Sequence, residues 1–252
     1  MKLAFVGKGG AGKSSITGTV ARILGARGES VVVLDTDPMP GLAYSIGVAQ
    51  SDAGVPEEAF EQYVAAGHLQ QRLRLDLDAE NALARYSQLA PDGVRFLPLG
   101  KTRGDRRQGG VRQQAYLDFV SRLTTTDRHI IGDLPGGTRQ PFFGWADFAD
   151  IVVVVVEPTP ASMLSGQRLA RLSEMSSKPR VLAVVNKTRT TTDVQMVAQK
   201  TGLPVIGAVG FDPQMEAADR LGLALIDFDD QAPAVLDMDD VVSALLDEEV
   251  RT

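Results

Sequence analysis

Gly7-Lys8-Gly9-Gly10-Ala11-Gly12-Lys13-Ser14-Ser15 is the stretch that decides how this chain is read. Before it stands an apolar run of strand length, Leu3-Ala4-Phe5-Val6; after it Ile16, Val20, Ile23 and Leu24 recur at helical spacing. Strand, glycine loop and helix in that order are the context a phosphate-binding loop requires. The backbone N–H groups of Gly9, Gly10, Ala11 and Gly12, with the helix N-terminus behind them, would present partial positive charge to an anion, and the glycines let phosphate oxygens approach. Lys13 is expected to reach the terminal phosphates and the Ser14 hydroxyl to ligate Mg2+, with Ser15 beside it in the cradle.

The loop satisfies two patterns at once. Gly7 to Ser14 fits G-x-x-x-x-G-K-[ST], while Gly7, Gly9 and Gly12 also fit the dinucleotide fingerprint G-x-G-x-x-G. Asp35, closing the next apolar run Val31–Leu34, stands at about the ~20-residue spacing of a ribose-binding acid. Lys13-Ser14 favours the first pattern, because a dinucleotide loop needs no lysine and hydroxyl after its last glycine and a magnesium triphosphate site needs both. An NAD(P)-binding reductase remains the alternative from a different class.

At 252 residues the chain suits one large α/β domain over residues 1–252, with no linker tract. It has no cysteine, which excludes disulfides, thiolate metal ligands and thiol nucleophiles. His68 and His129 are read as structural or solvated. A net charge of −6 argues against a globally cationic nucleic-acid binder. The basic patch Lys101–Arg107 is read as a solvated loop, so nucleic acid is not the favoured partner. The first strand begins almost at Met1 and no apolar run is long enough to cross a bilayer, so a cytoplasmic protein without a transmembrane segment is expected.

Further strands are predicted at Gly93–Leu97, His129–Asp133, Ile151–Val156, Arg180–Asn186 and Pro204–Val209, separated by helical patterns at Val111–Leu123, Ala161–Ser173, Thr192–Thr201 and Pro213–Leu221. The alternation predicts a mostly parallel sheet with helices on both faces. Ligands of such sheets sit at the carboxyl ends of the strands, so Gly7–Ser15, Asp35–Gly41, Asp133–Gly137 and Asn186–Thr188 should share one rim. Ser51–Pro91 breaks the rhythm and is read as a helical excursion, with helical patches at Pro56–Val64 and Asp78–Leu89. A terminal amphipathic helix is expected around Val241–Leu246.

Triphosphate hydrolysis needs a cradle, a metal, a positioned water and positive charge at the transition state. Asp133, followed by Leu134-Pro135-Gly136-Gly137, is the candidate second ligand near Mg2+, and Gly136 could offer its N–H to the γ-phosphate. Of the pair in Asp35-Thr36-Asp37-Pro38, Asp35 is assigned to the metal shell and Asp37 to the attacking water, a turn-forming role being the alternative for both. Lys8 could stabilise developing charge on the phosphoryl group from its own subunit or from a facing one.

Lys8-Gly9-Gly10-Ala11-Gly12-Lys13-Ser14 resembles the deviant Walker A motif, KGGxGK[ST], of the ParA/MinD-like P-loop ATPases, a family that includes the nitrogenase iron protein. Asp35-Thr36-Asp37-Pro38 resembles its switch I and Asp133–Gly137 its switch II. Asn186-Lys187 is similar to its base-recognition position, and Phe211-Asp212-Pro213 to its late strand–helix turn beside the base. The resemblance implies a Mg2+-dependent ATPase that cycles between ATP and ADP as a homodimer switch. Lys8 of each subunit would reach into the other's site, and an unidentified client protein would be driven, as by an accessory or maturation factor. A partition or division-site role, with the ATP dimer on DNA or a membrane, is the alternative within the family. The opening through Gly47 is similar to the nickel-insertion (CooC-like) ATPases that mature carbon monoxide dehydrogenase. Those carry a Cys-x-Cys motif where this chain has Gly109-Gly110-Val111-Arg112, so a thiolate metal site at a dimer seam is excluded here. Gly41 stands where relatives often carry a polar side chain in switch I.

Overall fold

The valine run at residues 151–156 forms the strand its composition predicts, and every residue of it is buried. In the computed structural model, which describes residues 1–36, 41–49, 55–64, 71–98, 115, 117–137, 144–174 and 179–250, the chain runs β1 (Lys2–Gly7), α1 (Lys13–Ala26), β2 (Val31–Asp35), α2 (Leu42–Ile46), β3 (Phe60–Val64) and β4 (Gln71–Leu75). It continues α3 (Ala79–Tyr86), β5 (Gln88–Leu89), β6 (Arg95–Pro98), β7 (His129–Asp133), β8 (Ile151–Val156), α4 (Pro160–Glu174), β9 (Arg180–Thr188), α5 (Thr191–Thr201), β10 (Val205–Gly210), α6 (Pro213–Leu221), α7 (Leu225–Phe228) and α8 (Pro233–Val250). Of the helical pattern at 111–123, residues 115 and 117–123 are described; 115 and 117–121 are helical, and 122–123 are a turn and a bend, so the helix stops short of its predicted end.

One eight-stranded sheet, in the order β10-β9-β8-β1-β7-β2-β6-β5, carries the fold. Its pairings are parallel except that of β5 with β6. Alternation along each strand sends residues to opposite faces. Leu3, Phe5, Val33, Ile131, Val153 and Val155 meet α1 and α8 through Ile16, Val20, Leu24, Val241 and Leu245. Ala4, Val6, Val32, Leu34, Val152 and Val154 pack on the other face with Phe119, Leu123, Leu169 and Val197. Burial on both faces explains why β8 needs no polar residue, each buried valine contributing about 1.5–3 kcal/mol. An aspartate at Val154 would break this layer, because its charge would have neither water nor a partner. Among the described residues no helix is long and apolar enough to cross a membrane.

The excursion differs from its sequence reading. The expected helical patch at Pro56–Val64 is a short 3-10 turn at Glu57–Ala59 followed by β3, which pairs antiparallel with β4, Phe60 opposite Leu75. Arg72-Leu73-Arg74-Leu75 alternates polar and apolar with period two, a short strand signal that the Glu- and Gln-rich surroundings masked. The second patch is helical from Ala79, capped by the Asp78 carboxylate on the N–H of Asn81, but it stops at Ser87, and Gln88–Leu89 joins the sheet edge. Val55, Ala59, Leu75, Ala82 and Leu83 pack into the second core layer, so the segment is part of the same α/β domain.

Candidate functional site

Gly7 ends β1 where a Cβ would come within 2.5 Å of the Val155 carbonyl oxygen, which forces the chain to leave the sheet without a side chain. The loop then folds back through a turn in which the N–H of Ala11 donates to the Lys8 carbonyl at 3.1 Å. Gly12 takes a left-handed conformation (φ 88°) immediately before α1 begins at Lys13. Lys13 is buried, while Lys8 is exposed, its Nζ 3.4 Å from the Gly9 carbonyl. The first turn of α1 and the loop together form the anion-binding end of a helix.

Beside this cradle the strand ends converge. The Ser14 hydroxyl donates to Asp133 Oδ2 at 2.5 Å. Asp133 and Asp35 face each other in register on β7 and β2, and both are buried. Thr36 ties the end of β2 to the end of β7, its N–H and its hydroxyl both donating to the Asp133 carbonyl, at 3.1 and 2.8 Å. Gly137 N–H donates to the Gly7 carbonyl at 3.3 Å, and a Cβ on Gly136 would touch Gly9 at 3.4 Å and stand 4.0 Å from Lys13 Nζ. A Cβ on Gly41 would stand 3.8 Å from Ser14 Oγ. The predicted metal residues Ser14, Asp35 and Asp133 are therefore together, and Gly136 lies over the loop. Asp37 lies outside the described residues, as does the basic segment 101–112.

The donor set fits Mg2+. A hydroxyl and carboxylates are the hard oxygen donors that ion takes, and it is held by few protein groups plus substrate phosphates. Among the described residues, no group of three or more His, Cys, Asp or Glu is arranged to hold a metal by itself.

A cleft of about 490 Å3 runs from Gly12, Lys13, Ser14 and Ser15 to Asn186, Lys187, Phe211 and Asp212. Its far end is partly structural. Asn186 is buried, its Nδ2 donating to the Ala11 carbonyl (2.8 Å) and its Oδ1 accepting from the Lys187 N–H (2.9 Å). Lys187 Nζ donates to the Gly10 carbonyl at 3.0 Å and pairs with Glu157 at 2.5 Å. Asp212 caps α6 through the N–H of Gln214 and also accepts from the N–H of Ala234, and Pro213 occupies the first turn of α6, where its missing N–H costs nothing. Phe211 is exposed and carries the Arg189 guanidinium 4.2 Å from its ring centroid, a cation–π contact.

Sequence reasoning passed over several of these residues. Glu157 and Thr36 both stand at carboxyl ends of parallel strands, the position that should have marked them. Arg22 gave no such signal. It is buried in α1 and bonds Asp92 (2.6 Å), Asp227 (2.7 Å) and the Ile46 carbonyl (3.2 Å), fastening α1 to α2 and α7. Burial pulls its basicity down, but Asp227 and Asp92 outweigh that and hold the guanidinium above its ordinary range.

Strand order separates the two readings of the glycine loop. In the dinucleotide fold the second strand lies next to the first. Here β7 intervenes between β1 and β2, which places Asp35 two strands, roughly 9–10 Å, from the loop strand and beside Asp133 instead.

With that geometry, comparison with known proteins is specific. Residues 3–226 match the family model described as the CobQ/CobB/MinD/ParA nucleotide binding domain. The chain is 26% identical over 256 residues to the carbon monoxide dehydrogenase accessory protein CooC of Rhodospirillum rubrum, covering 94% of this chain and 95% of that protein. It is 25% identical over 244 residues to an ATP-binding protein of Methanocaldococcus jannaschii, covering 92% and 93%. Among solved structures, the septum site-determining protein MinD of Pyrococcus horikoshii with Mg-ADP is similar at a TM-score of 0.71 and 14% identity, covering 97% and 95%. A ParA family ATPase from Chlorobium tepidum is similar at 0.70 and 18%, covering 97% and 98%.

Proposed function

We propose, from the premise that this chain belongs to the CobQ/CobB/MinD/ParA nucleotide-binding family, that it hydrolyses ATP and uses the bound nucleotide to control its own dimerisation, acting as an accessory switch for a client protein. ATP/ADP and Mg2+ are the cofactors of such a domain. The observation that carries the reading is the bond chain at Asp133, whose side chain accepts from Ser14 of the phosphate loop and whose carbonyl accepts twice from Thr36 at the start of switch I. A change at the phosphates thereby reaches both switch segments through one residue.

In this reading the amides of Gly9, Gly10 and Gly12 and the Lys13 ammonium bind the phosphates, whereas the Ala11 N–H, expected among them, donates to the Lys8 carbonyl. Ser14, Asp133 and Asp35 hold Mg2+, which when bound supplies Lewis-acid stabilisation of the phosphoryl oxygens. Asp37 orients the water, Gly136 donates to the γ-phosphate, and Lys8, exposed on the loop, reaches the facing subunit's site. Asn186 and the Phe211–Pro213 turn bound the base, and Lys187, expected there too, has its ammonium turned to the Gly10 carbonyl and Glu157. The accessory role is supported by the similarity to the R. rubrum carbon monoxide dehydrogenase accessory protein; with no cysteine in the chain, the switch cannot carry a metal on thiolates.

The test is light scattering of purified protein with Mg–ATP, Mg–ADP or no nucleotide, alongside phosphate release. The expected result is a dimer with ATP alone and at least a tenfold slower hydrolysis in Lys8→Ala. A monomer in all conditions, with Lys8→Ala hydrolysing at the wild-type rate, refutes the inter-subunit mechanism. A salt-sensitive DNA complex formed with ATP alone would move the assignment to the partition type.

A further inference from the structure

Lys187 is one of three non-glycine residues with positive φ among the described residues, at 58°, and the other two, Asp92 and Asp127, belong to the residue types that tolerate it. A lysine gains nothing locally from that backbone, so an outlier beside a ligand cleft calls for a reason. The conformation accompanies a side chain whose Nζ bonds the Gly10 carbonyl and the Glu157 carboxylate. Asn186, the residue before it, takes the next carbonyl along, that of Ala11.

We propose that Lys187 and Glu157 form a clamp that positions the phosphate loop, Lys187 acting through the loop and not as a contact to the nucleotide; this rests on the reading that the cleft binds Mg–nucleotide. Within a peptide unit the C=O and N–H point in opposite directions. With the Ala11 carbonyl held by Asn186, the N–H of the same peptide, on Gly12, points the opposite way, away from the Asn186 amide. Holding the Gly10 carbonyl braces the same peptide whose N–H, on Ala11, closes the turn onto Lys8. The clamp therefore sets the base of the loop that presents Lys8, next to the peptide that Asn186 fixes.

Glu157 completes the triangle. It follows β8, which lies between β1 and β9, and its own N–H is fixed by Ser162 Oγ of α4 at 2.9 Å. Its side chain is 14% exposed, and it does not line the nucleotide cleft. A carboxylate next to an anion-binding loop repels phosphate in proportion to its charge, so its presence opposes binding unless it does something else. Orienting Lys187 is that function.

This gives the two roles opposite signs. If Glu157 is merely a nearby charge, Glu157→Gln removes repulsion, frees the Lys187 charge, and tightens ADP. If it orients Lys187, the same substitution loosens the loop and weakens ADP.

The experiment is calorimetric titration of Mg–ADP into wild type, Glu157→Gln, Lys187→Ala and Lys187→Gly, with melting of each nucleotide-free protein. The expected result is about tenfold weaker binding in both Lys187 variants, agreeing within twofold, and about three- to tenfold weaker binding in Glu157→Gln. Because glycine tolerates the left-handed backbone and alanine does not, Lys187→Gly should melt about 2–4 °C above Lys187→Ala, so that equal loss of binding accompanies unequal stability. Unchanged or tighter ADP binding in Glu157→Gln overturns the clamp, as does a Lys187→Gly variant that binds like wild type. A wild type that fails to bind Mg–ADP overturns the nucleotide reading and the clamp with it, whereas a binding wild type with unaffected variants overturns the clamp alone.

Discussion

Replacing Gly12 by alanine tests the geometry of the loop with a single carbon atom. Gly12 has φ 88°, where an alanine costs about 1–2 kcal/mol. Its Cβ would lie 2.2 Å from Asn186 Nδ2, so Asn186 must swing out of a buried position. That movement strips the Ala11 carbonyl of the donor now 2.8 Å away, for a further cost of about 1–3 kcal/mol. The sum is a loss of about 2–5 kcal/mol, or roughly 5–15 °C in melting temperature for a chain of this size. Two neighbours calibrate it. Gly10 has φ 83° with nothing described within 4 Å of its Cβ position, so Gly10→Ala should lose only the backbone part, about 1–2 kcal/mol. Gly9 has neither a positive φ nor a described neighbour within 4 Å, and Gly9→Ala should stay within about 0.5 kcal/mol of wild type. Urea unfolding at unchanged m gives all three differences. If Gly12→Ala proves no less stable than Gly10→Ala, Asn186 does not press on the loop as described and the reasoning fails.

Removing the Ser14 hydroxyl in Ser14→Ala should abolish the extra nucleotide affinity that Mg2+ confers while leaving metal-free ADP binding within about threefold; equal Mg2+ dependence in both proteins would count against the site. Arg22→Ala should destabilise by about 2–3 kcal/mol in chemical denaturation, less than a fully buried pair would lose, because Asp92 and Asp227 are 30% and 37% exposed and can rehydrate. The N–H of Arg189, then that of Thr190, holds the Asp193 carboxyl of the α5 capping box below its ordinary range. A depressed folded value means that the stabilisation is complete above the ordinary value near about 4 and is lost as pH falls through the folded one. The stability gap between wild type and Asp193→Asn should therefore be level from about pH 5 to 7 and close below about pH 4. Saturating Mg–ADP should raise the melting temperature and NAD(P)H should not; the reverse pattern would restore the dinucleotide reading.

Where the sequence was legible, a local pattern carried the structure. The strands at residues 129–133 and 151–156 and the helix at 213–221 stand at their predicted bounds, because each is an apolar run or helical period closed by its own turn residues. The hairpin of β3 and β4 was missed because its alternation is short and its composition favours helix. Among the site residues, Ser14 and Asp133 were recognisable from motif and strand end. Glu157 and Thr36 carried the strand-end signal too, but what they do there was not legible, since their partners Lys187 and the Asp133 carbonyl are distant in sequence. Asp212 lines the cleft as expected of a residue beside the base, and its carboxylate also joins the N-termini of two helices, which sequence alone did not show.

By itself the sequence determined the chemistry of the loop, because amides, a lysine and a hydroxyl in succession on Gly9–Ser14 have one common use whatever surrounds them. Tertiary structure decided which second carboxylate that loop meets. Asp35 fits a ribose or a metal equally well by spacing, and the insertion of β7 between β1 and β2 sets it against Asp133. Strand order depends on how crossovers bury apolar faces across the whole sheet, a property that no window of residues contains.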